Sequence, residues 1–203
     1  VVIRRTIDPS RAPILQELLE AMEADRDLTG VKERTEANVA AVEVLDAPSS
    51  DYRRDFRRLM RYSGYGGLSI EAVKDRLNPM WVPSQDALIH EYYTPTRLAL
   101  EIARAIRPWV SALPHRPDGF ISGLEPSAGI GRLLNAASTP GFEQVRWTAV
   151  ESSVVSATIL QTMRPDISIS VSSFEEWINL YEETVAGQLC LVLFNPPYGE
   201  RGA

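Results

Sequence analysis

The 203-residue chain carries 21 Lys and Arg against 27 Asp and Glu, a formal charge of −6, with 44% hydrophobic and 24% charged residues. This is the balance of an ordinary globular protein with a sizeable core; it excludes a disordered tail and a protein that coats nucleic acid without selectivity, while leaving room for a local basic face. A lone cysteine, Cys190, excludes an internal disulfide, no apolar run approaches the roughly 18 to 20 residues of a membrane span, and the start Val1 to Arg5 lacks the apolar core of a signal peptide. The expectation is a soluble, cytoplasmic protein with no membrane partner. The absence of an initiator Met, and an end only a few residues past a Pro-Pro motif, are expected of a segment of a longer polypeptide.

From Pro9 to Leu45 the pattern is helical and charged. Ile14, Leu15, Leu18, Leu19 and Met22 fall at helical spacing, Gly30 separates this helix from the next, and Val39, Val42 and Leu45 supply a second apolar stripe. Ala47 to Asp51 reads as a stop and a new N-cap, followed by a third helix over 51–61. Its arginines at 54, 57, 58 and 61 share one face, which reads either as a phosphate-contacting surface or as a solvated partner for acidic residues. Ser63-Gly64-Tyr65-Gly66-Gly67 then requires either positive φ or close approach of other groups. A short helix over 69–77 and a Pro- and Trp-containing connection over 78–83 follow. Tyr93-Thr94-Pro95 starts a helix, with Thr94 as N-cap, Pro95 at the first helical position, and Leu98, Leu100, Ile102, Ala103 and Ile106 as its apolar side; Pro108 and Pro114 close it.

After Gly119 strands alternate with helices: strands over 120–124, 145–150, 167–171 and 189–194, helices starting at Arg132, Ser153 and Glu175. That alternation predicts an open parallel α/β sheet. Leu189 to Leu193 is apolar without alternation, the pattern of a strand covered on both faces.

The carboxyl ends of these strands carry the chemistry. Glu125-Pro126-Ser127-Ala128-Gly129-Ile130-Gly131 follows the first strand and opens a helix, where a doubly wound sheet binds nucleotides. It has only G-x-G, and an acid precedes the glycines, so a pyrophosphate is a poor guest and a ligand with a positive group a better one. Glu151 ends the second strand about 20 residues on, the spacing of a carboxylate accepting ribose hydroxyls, or of a helix cap. Phe174 after the third strand is placed either to cover an adenine ring or to pack in the core. After the fourth strand, Asn195-Pro196-Pro197-Tyr198 joins an amide and an aromatic ring to two prolines that remove N–H donors, freeing the carbonyls of Asn195 and Pro196 for a ligand. His90 and His115 lack companions at metal spacing, so no metal is expected.

In this order the motifs resemble those of the amino-group DNA methyltransferases that use S-adenosylmethionine, the adenine-N6 type in particular. The N-terminal half adds Arg34-Thr35-Glu36-Ala37-Asn38-Val39-Ala40-Ala41 and Tyr62-Ser63-Gly64-Tyr65-Gly66-Gly67-Leu68, similar to the methylase region of very large methylase–helicase proteins of phages and conjugative elements. In phages these proteins are associated with protecting DNA from host restriction, and the resemblance implies a bacterial cell and a phage or plasmid source.

The resemblance implies an α/β, Rossmann-like class I methyltransferase with a partial parallel sheet of four strands, at 89–203, and a helical N-terminal extension at 1–88. It implies that Tyr93, Thr94 and Pro95 close over the cofactor, that Glu125, Pro126, Ser127, Ala128, Gly129 and Gly131 hold its methionine part, and that Glu151 holds its ribose. Ser173 and Phe174 would flank the adenine, where the family usually places an acid at the position of Ser173. Asn195 and the Pro196 carbonyl would accept hydrogen bonds from the target N6 amine, with Pro197 stiffening the turn and Tyr198 stacking on a base flipped out of double-stranded DNA. Asn-Pro-Pro-Tyr also occurs in methyltransferases of RNA bases and of protein glutamine amides, and an inactive cofactor-binding or interaction segment is a third reading. Tyr93-Thr94-Pro95 and Pro126 after Glu125 favour DNA.

Overall fold

The computed structural model describes residues 15–185 and 187–196. Their contacts divide the chain into two compact units, one containing Leu15–Ala24 and Thr94–Asn195, the other Asp25–Tyr93 and Pro196.

In the second of these, α2 (Val31–Asp46) packs on α3 (Tyr52–Met60). The predicted stripe of Val39, Val42 and Leu45 is buried, and Asp51 caps α3 by accepting the Arg54 N–H. Helix α3 buries Asp55, Phe56, Leu59 and Met60. The segment expected as a helix over 69–77 forms only a 3-10 turn, Ile70–Ala72, and the connection beyond it holds a second, Pro79–Trp81. A short helix that apolar spacing does not disclose, α4 (Gln85–His90), follows, capped by Ser84. Its own residues bury none of their side chains, so they carry no apolar stripe to read.

The glycine-rich segment is held from both sides. Arg34 donates to the carbonyls of Gly64 at 3.1 Å and Gly66 at 3.0 Å, Asn38 donates to Gly64 at 2.8 Å and accepts the Ser63 N–H at 2.8 Å, and the buried Glu91 carboxylate accepts the Tyr62 hydroxyl and the Tyr65 N–H. Gly64 sits at φ 74°, and a Cβ there would lie 2.3 Å from the Glu91 carbonyl oxygen. Both alternatives read for this segment are therefore met at one residue. The two N-terminal segments that carry the family resemblance are thus packed on each other, the first supplying the donors that the second requires.

The other unit is an α/β layer. Helix α1 (Leu15–Ala24), with Leu18 and Met22 buried, packs on α5 (Thr96–Val110) and on α6 (Arg132–Ala136). Helix α5 starts one residue later than its sequence suggests, with Pro95 at the cap. Leu98 is 50% exposed, and Pro108 lies inside the helix instead of ending it. A proline in the last turn forfeits one intrahelical bond, and the chain finishes in tighter turns from Ala112 to Trp109 and Leu113 to Val110.

Strands β1 (Ile121–Glu125), β2 (Val145–Glu151), β3 (Ser168–Val171) and β4 (Leu191–Val192) form a parallel sheet in the order β3-β2-β1-β4. Helices α6, α7 (Val154–Met163) and α8 (Phe174–Val185) connect them in turn. This is the α/β architecture expected, and it is compatible with a Rossmann-like fold. The fourth strand departs from expectation. Only two residues pair, and β4 lies at the edge of the sheet, with Val192 49% and Phe194 51% exposed. Its apolar run belongs to a strand that, among the described residues, has a neighbour on one side only. Among those residues no helix is long and apolar enough to cross a membrane.

Candidate active site

In the order β3-β2-β1-β4 the chain moves outward from β1 through β2 and β3, then returns to the opposite side of β1. The reversal between β1 and β4 opens a crevice at the carboxyl ends of those strands, the position at which open α/β sheets take ligands. Glu125 is the last residue of β1, and Asn195 lies three residues beyond β4. Sequence-predicted residues therefore flank the switch point from both sides.

The turn after β1 is built by hydrogen bonds to its neighbour strand. Ala128 N–H donates to the Val150 carbonyl at 2.9 Å, and Gly129 N–H donates to Glu151 Oε2 at 2.6 Å. The other oxygen of Glu151 accepts the Ser153 N–H at 2.7 Å. Glu151 thus serves as a latch on the glycine turn. Gly131 caps α6 at φ 79°, and a Cβ there would lie 2.5 Å from a methyl of Leu160 on α7. The second glycine of G-x-G is thus required both by its backbone angle and by helix packing.

Glu125 is 2% exposed, and its carboxylate accepts the Leu134 N–H at 3.1 Å. Burial pushes its pKa well above the ordinary glutamate range; the Leu134 bond opposes this and the nearby Glu151 charge adds to it.

On the other side of the crevice the Asn195 side chain donates through Nδ2 to the Thr94 hydroxyl at 3.0 Å. Its backbone carbonyl accepts the Ser127 hydroxyl at 3.1 Å, and Arg132 donates to the Thr94 carbonyl at 3.1 Å. Two readings change. Thr94 is no helix cap: its buried hydroxyl accepts the amide of Asn195. The Asn195 carbonyl, expected to face a ligand, is tied to the glycine turn, because Ser127 offers a hydroxyl where the prolines leave few N–H donors. With Nδ2 engaged, Oδ1 is the group of Asn195 left to act as acceptor.

Of the remaining candidates, Pro126 and Ala128 are buried in the turn, Pro95 is the exposed cap of α5, and Pro196 is half-buried. Tyr93 belongs to the helical unit, its ring 6.0 Å from that of Tyr62. Ser173 accepts the Glu176 N–H and donates its own N–H to the Glu176 carboxylate, a reciprocal cap at the start of α8. Phe174 stacks on Trp177 and packs on the cluster of Leu124, Val150 and Trp177, so its ring is a core contact at the carboxyl edge of the sheet. Pro197 and Tyr198 lie outside the described residues. Among those residues no three His, Cys, Asp or Glu side chains could together hold a metal.

No family model matches the chain. It is 29% identical over 204 residues to the Defense against restriction protein B of Escherichia phage P1, an alignment covering 97% of this chain. The chain spans 7% of that protein's length.

One participant, Arg132, is not visible as a motif member. Arg132 reads as the first residue of a helix, and its link to the Thr94 carbonyl joins residues 38 apart. Thr94 and Asn195 are 101 residues apart, so the sequence names both without disclosing that they touch. Ser127 is a motif residue whose specific task, holding the Asn195 carbonyl, likewise emerges only from the fold.

Proposed function

We propose that this chain carries the cofactor- and amine-binding part of an S-adenosylmethionine-dependent adenine-N6 DNA methyltransferase, within a longer polypeptide of the restriction-defence type. The observation that carries the proposal is the Asn195 amide, held through Nδ2 by Thr94 at the switch point with Oδ1 left as acceptor. The acidic G-x-G turn beside it, the Glu151 latch and the restriction-defence name of the phage relative support the same reading.

The donor set fits the cofactor. Glu125 offers a buried carboxyl to the amino group of its methionine part, the backbone from Ser127 to Gly131 gives close approach, and Glu151, a carboxylate at the end of β2 beside that turn, stands where the family's pattern puts the ribose. When bound, the cofactor supplies an electrophilic methyl on a sulfonium. The residues of this chain do the rest. Asn195 Oδ1 and the Pro196 carbonyl accept the two hydrogens of the target N6 amine, drawing a nitrogen conjugated with its ring toward tetrahedral geometry. So held, the amine nitrogen would present its lone pair to the methyl that a bound cofactor would supply, and the surplus proton would pass from the nitrogen to solvent. No covalent enzyme intermediate is needed, and alignment with electrostatic stabilisation supplies the rate. Tyr198 would stack on the flipped base by the family's pattern.

The test is methyl transfer from labelled S-adenosylmethionine to duplex DNA, RNA and glutamine-bearing peptide in one competition. Label is expected at adenine N6 of DNA. Asn195→Ala is expected to lower transfer by about a hundredfold or more while cofactor affinity holds, since it removes an acceptor used on the reacting amine. Transfer to RNA or peptide in preference to DNA, or unaltered transfer by Asn195→Ala, would overturn the reading.

A further inference from the structure

The helical unit carries a second feature that the methyl-transfer site leaves unused. Arg53, Arg54, Arg57, Arg58 and Arg61 line an open groove of about 540 Å³ together with Asp51, on the face of α3 opposite its buried Asp55, Phe56, Leu59 and Met60. The chain as a whole is acidic, so this concentration of cations is local.

Helix physics argues against such an arrangement for stability alone. Arg53 and Arg54 stand in the first turn, at the positive end of the helix dipole. Positions 53 and 57, 54 and 58, and 57 and 61 form like-charge pairs at i,i+4, each unfavourable. The acids near Arg54, Arg58 and Arg61 compensate those three little. Arg58 reaches Glu43 at 3.6 Å and Arg61 reaches Glu33 at 3.7 Å, both between exposed side chains, and Glu33 also pairs with Arg26. Arg54 is 4.0 Å from Asp55, whose carboxylate is taken by the Ser49 N–H and hydroxyl. Among the described residues no ion pair joins Arg57. Arg57 and Arg58 in the last turn suit the dipole, whereas the first-turn Arg53 and Arg54 and the repeated like-charge pairs do not, and it is this part of the pattern that points to a bound partner.

We propose that this arginine ridge on α3 holds the phosphate backbone of duplex DNA. Residues 53, 57 and 61 rise about 12 Å along the helix axis, which spans about four successive phosphates of one strand of B-form DNA at an axial spacing of about 3.4 Å. Guanidinium forks suit phosphate oxygens, and an open groove admits a rod-like polyanion better than a small ligand. The proposal rests on the reading that DNA is the substrate, and it adds a sequence-independent grip outside the reacting site.

The experiment is fluorescence anisotropy of a labelled duplex across a salt series, with the chain and its Arg54→Ala/Arg57→Ala variant, and Lys74→Ala/Arg104→Ala as a charge-matched control. The log–log salt slope of the Arg54/Arg57 variant is expected to be shallower by about 2, with affinity about ten- to a hundredfold weaker at 0.1 M salt. The control is expected to stay within about threefold. Thermal melting of the Arg54/Arg57 variant is expected at or above the parent temperature, since like-charge pairs are relieved, whereas a role in holding the helices together would lower it. S-adenosylmethionine affinity is expected to be unchanged, and the KM for DNA to rise at constant kcat. An unchanged salt slope in the Arg54/Arg57 variant would overturn the ridge and leave methyl transfer standing. Arginine-dependent binding of poly-glutamate in preference to duplex would also overturn it, assigning the ridge to an acidic protein segment. Loss of transfer with the salt slope retained would sink the methyltransferase reading alone.

Discussion

The two units handle charge in opposite ways. In the α/β unit the carboxylates at the ends of β1 and β2 are buried and bonded to backbone amides, Glu125 to Leu134 and Glu151 to Gly129 and Ser153. In the helical unit the conspicuous charges are arginines held out to solvent on α3, while its buried carboxylates fasten loops, Glu91 the glycine-rich segment and Asp55 the turn at Ser49. Charges kept from water act over short range with fixed geometry, which suits a ligand whose atoms must be placed. Charges in water are screened over about 8 to 10 Å and tolerate many poses, which suits an extended partner.

Thr94 offers the sharpest test of the buried side. Thr94→Val removes the hydroxyl that accepts the Asn195 amide while keeping the shape, so Asn195 Oδ1 is no longer aimed. A fall in kcat of about tenfold is expected, with cofactor affinity unchanged and activity largely restored in Thr94→Ser. Equal loss in the serine and valine variants would show that Thr94 acts by packing alone.

Gly131→Ala breaks the turn instead of the chemistry. The substitution places a Cβ at φ 79° and against Leu160. A destabilisation of about 1 to 3 kcal/mol is expected from strain and overpacking, read as a lower denaturant midpoint at constant m-value.

The smallest expected effect is a pH dependence at Glu125. Its folded pKa is raised, so the folded state binds the proton more tightly than the unfolded one. That contribution is fully present below the ordinary glutamate range and is lost as pH rises above it toward the folded value. Glu125→Gln keeps an acceptor for Leu134 without the charge. It is therefore expected to melt higher than the parent at neutral pH, with the gap closing as pH falls below about 4.5. A gap independent of pH would remove burial of charge as its cause.

Much of the α/β unit was legible because its grammar is local. Apolar runs end in Glu125, in Glu151 and before Asn195, and glycine turns mark where helices begin, so strand order in sequence and motif position follow from short windows. What stayed hidden depends on neighbours. The exposure of Val192 and Phe194 is fixed by the place of β4 at the sheet edge, which an apolar run cannot declare. Pro108 reads as a stop, yet the last turn tolerates it because one bond is all it forfeits. Thr94 was recognised for the wrong local reason, as a cap, since its actual partner is Asn195 across the crevice. In the helical unit, the Asn38 and Arg34 bonds to the glycine segment are equally long-range, and the sequence showed only that its backbone needed unusual freedom.

The Glu151 latch on Gly129 has a consequence in entropy. A glycine turn left loose would have to be ordered by whatever binds it, at roughly 1 to 2 kcal/mol per residue fixed. Here Gly129 is already bonded at 2.6 Å to a carboxylate that is itself anchored by Ser153, and Gly131 is locked by its contact with α7. The ordering cost of that turn therefore falls largely on folding, where the core of the sheet offsets it, and a ligand bound there would have less of the backbone left to order.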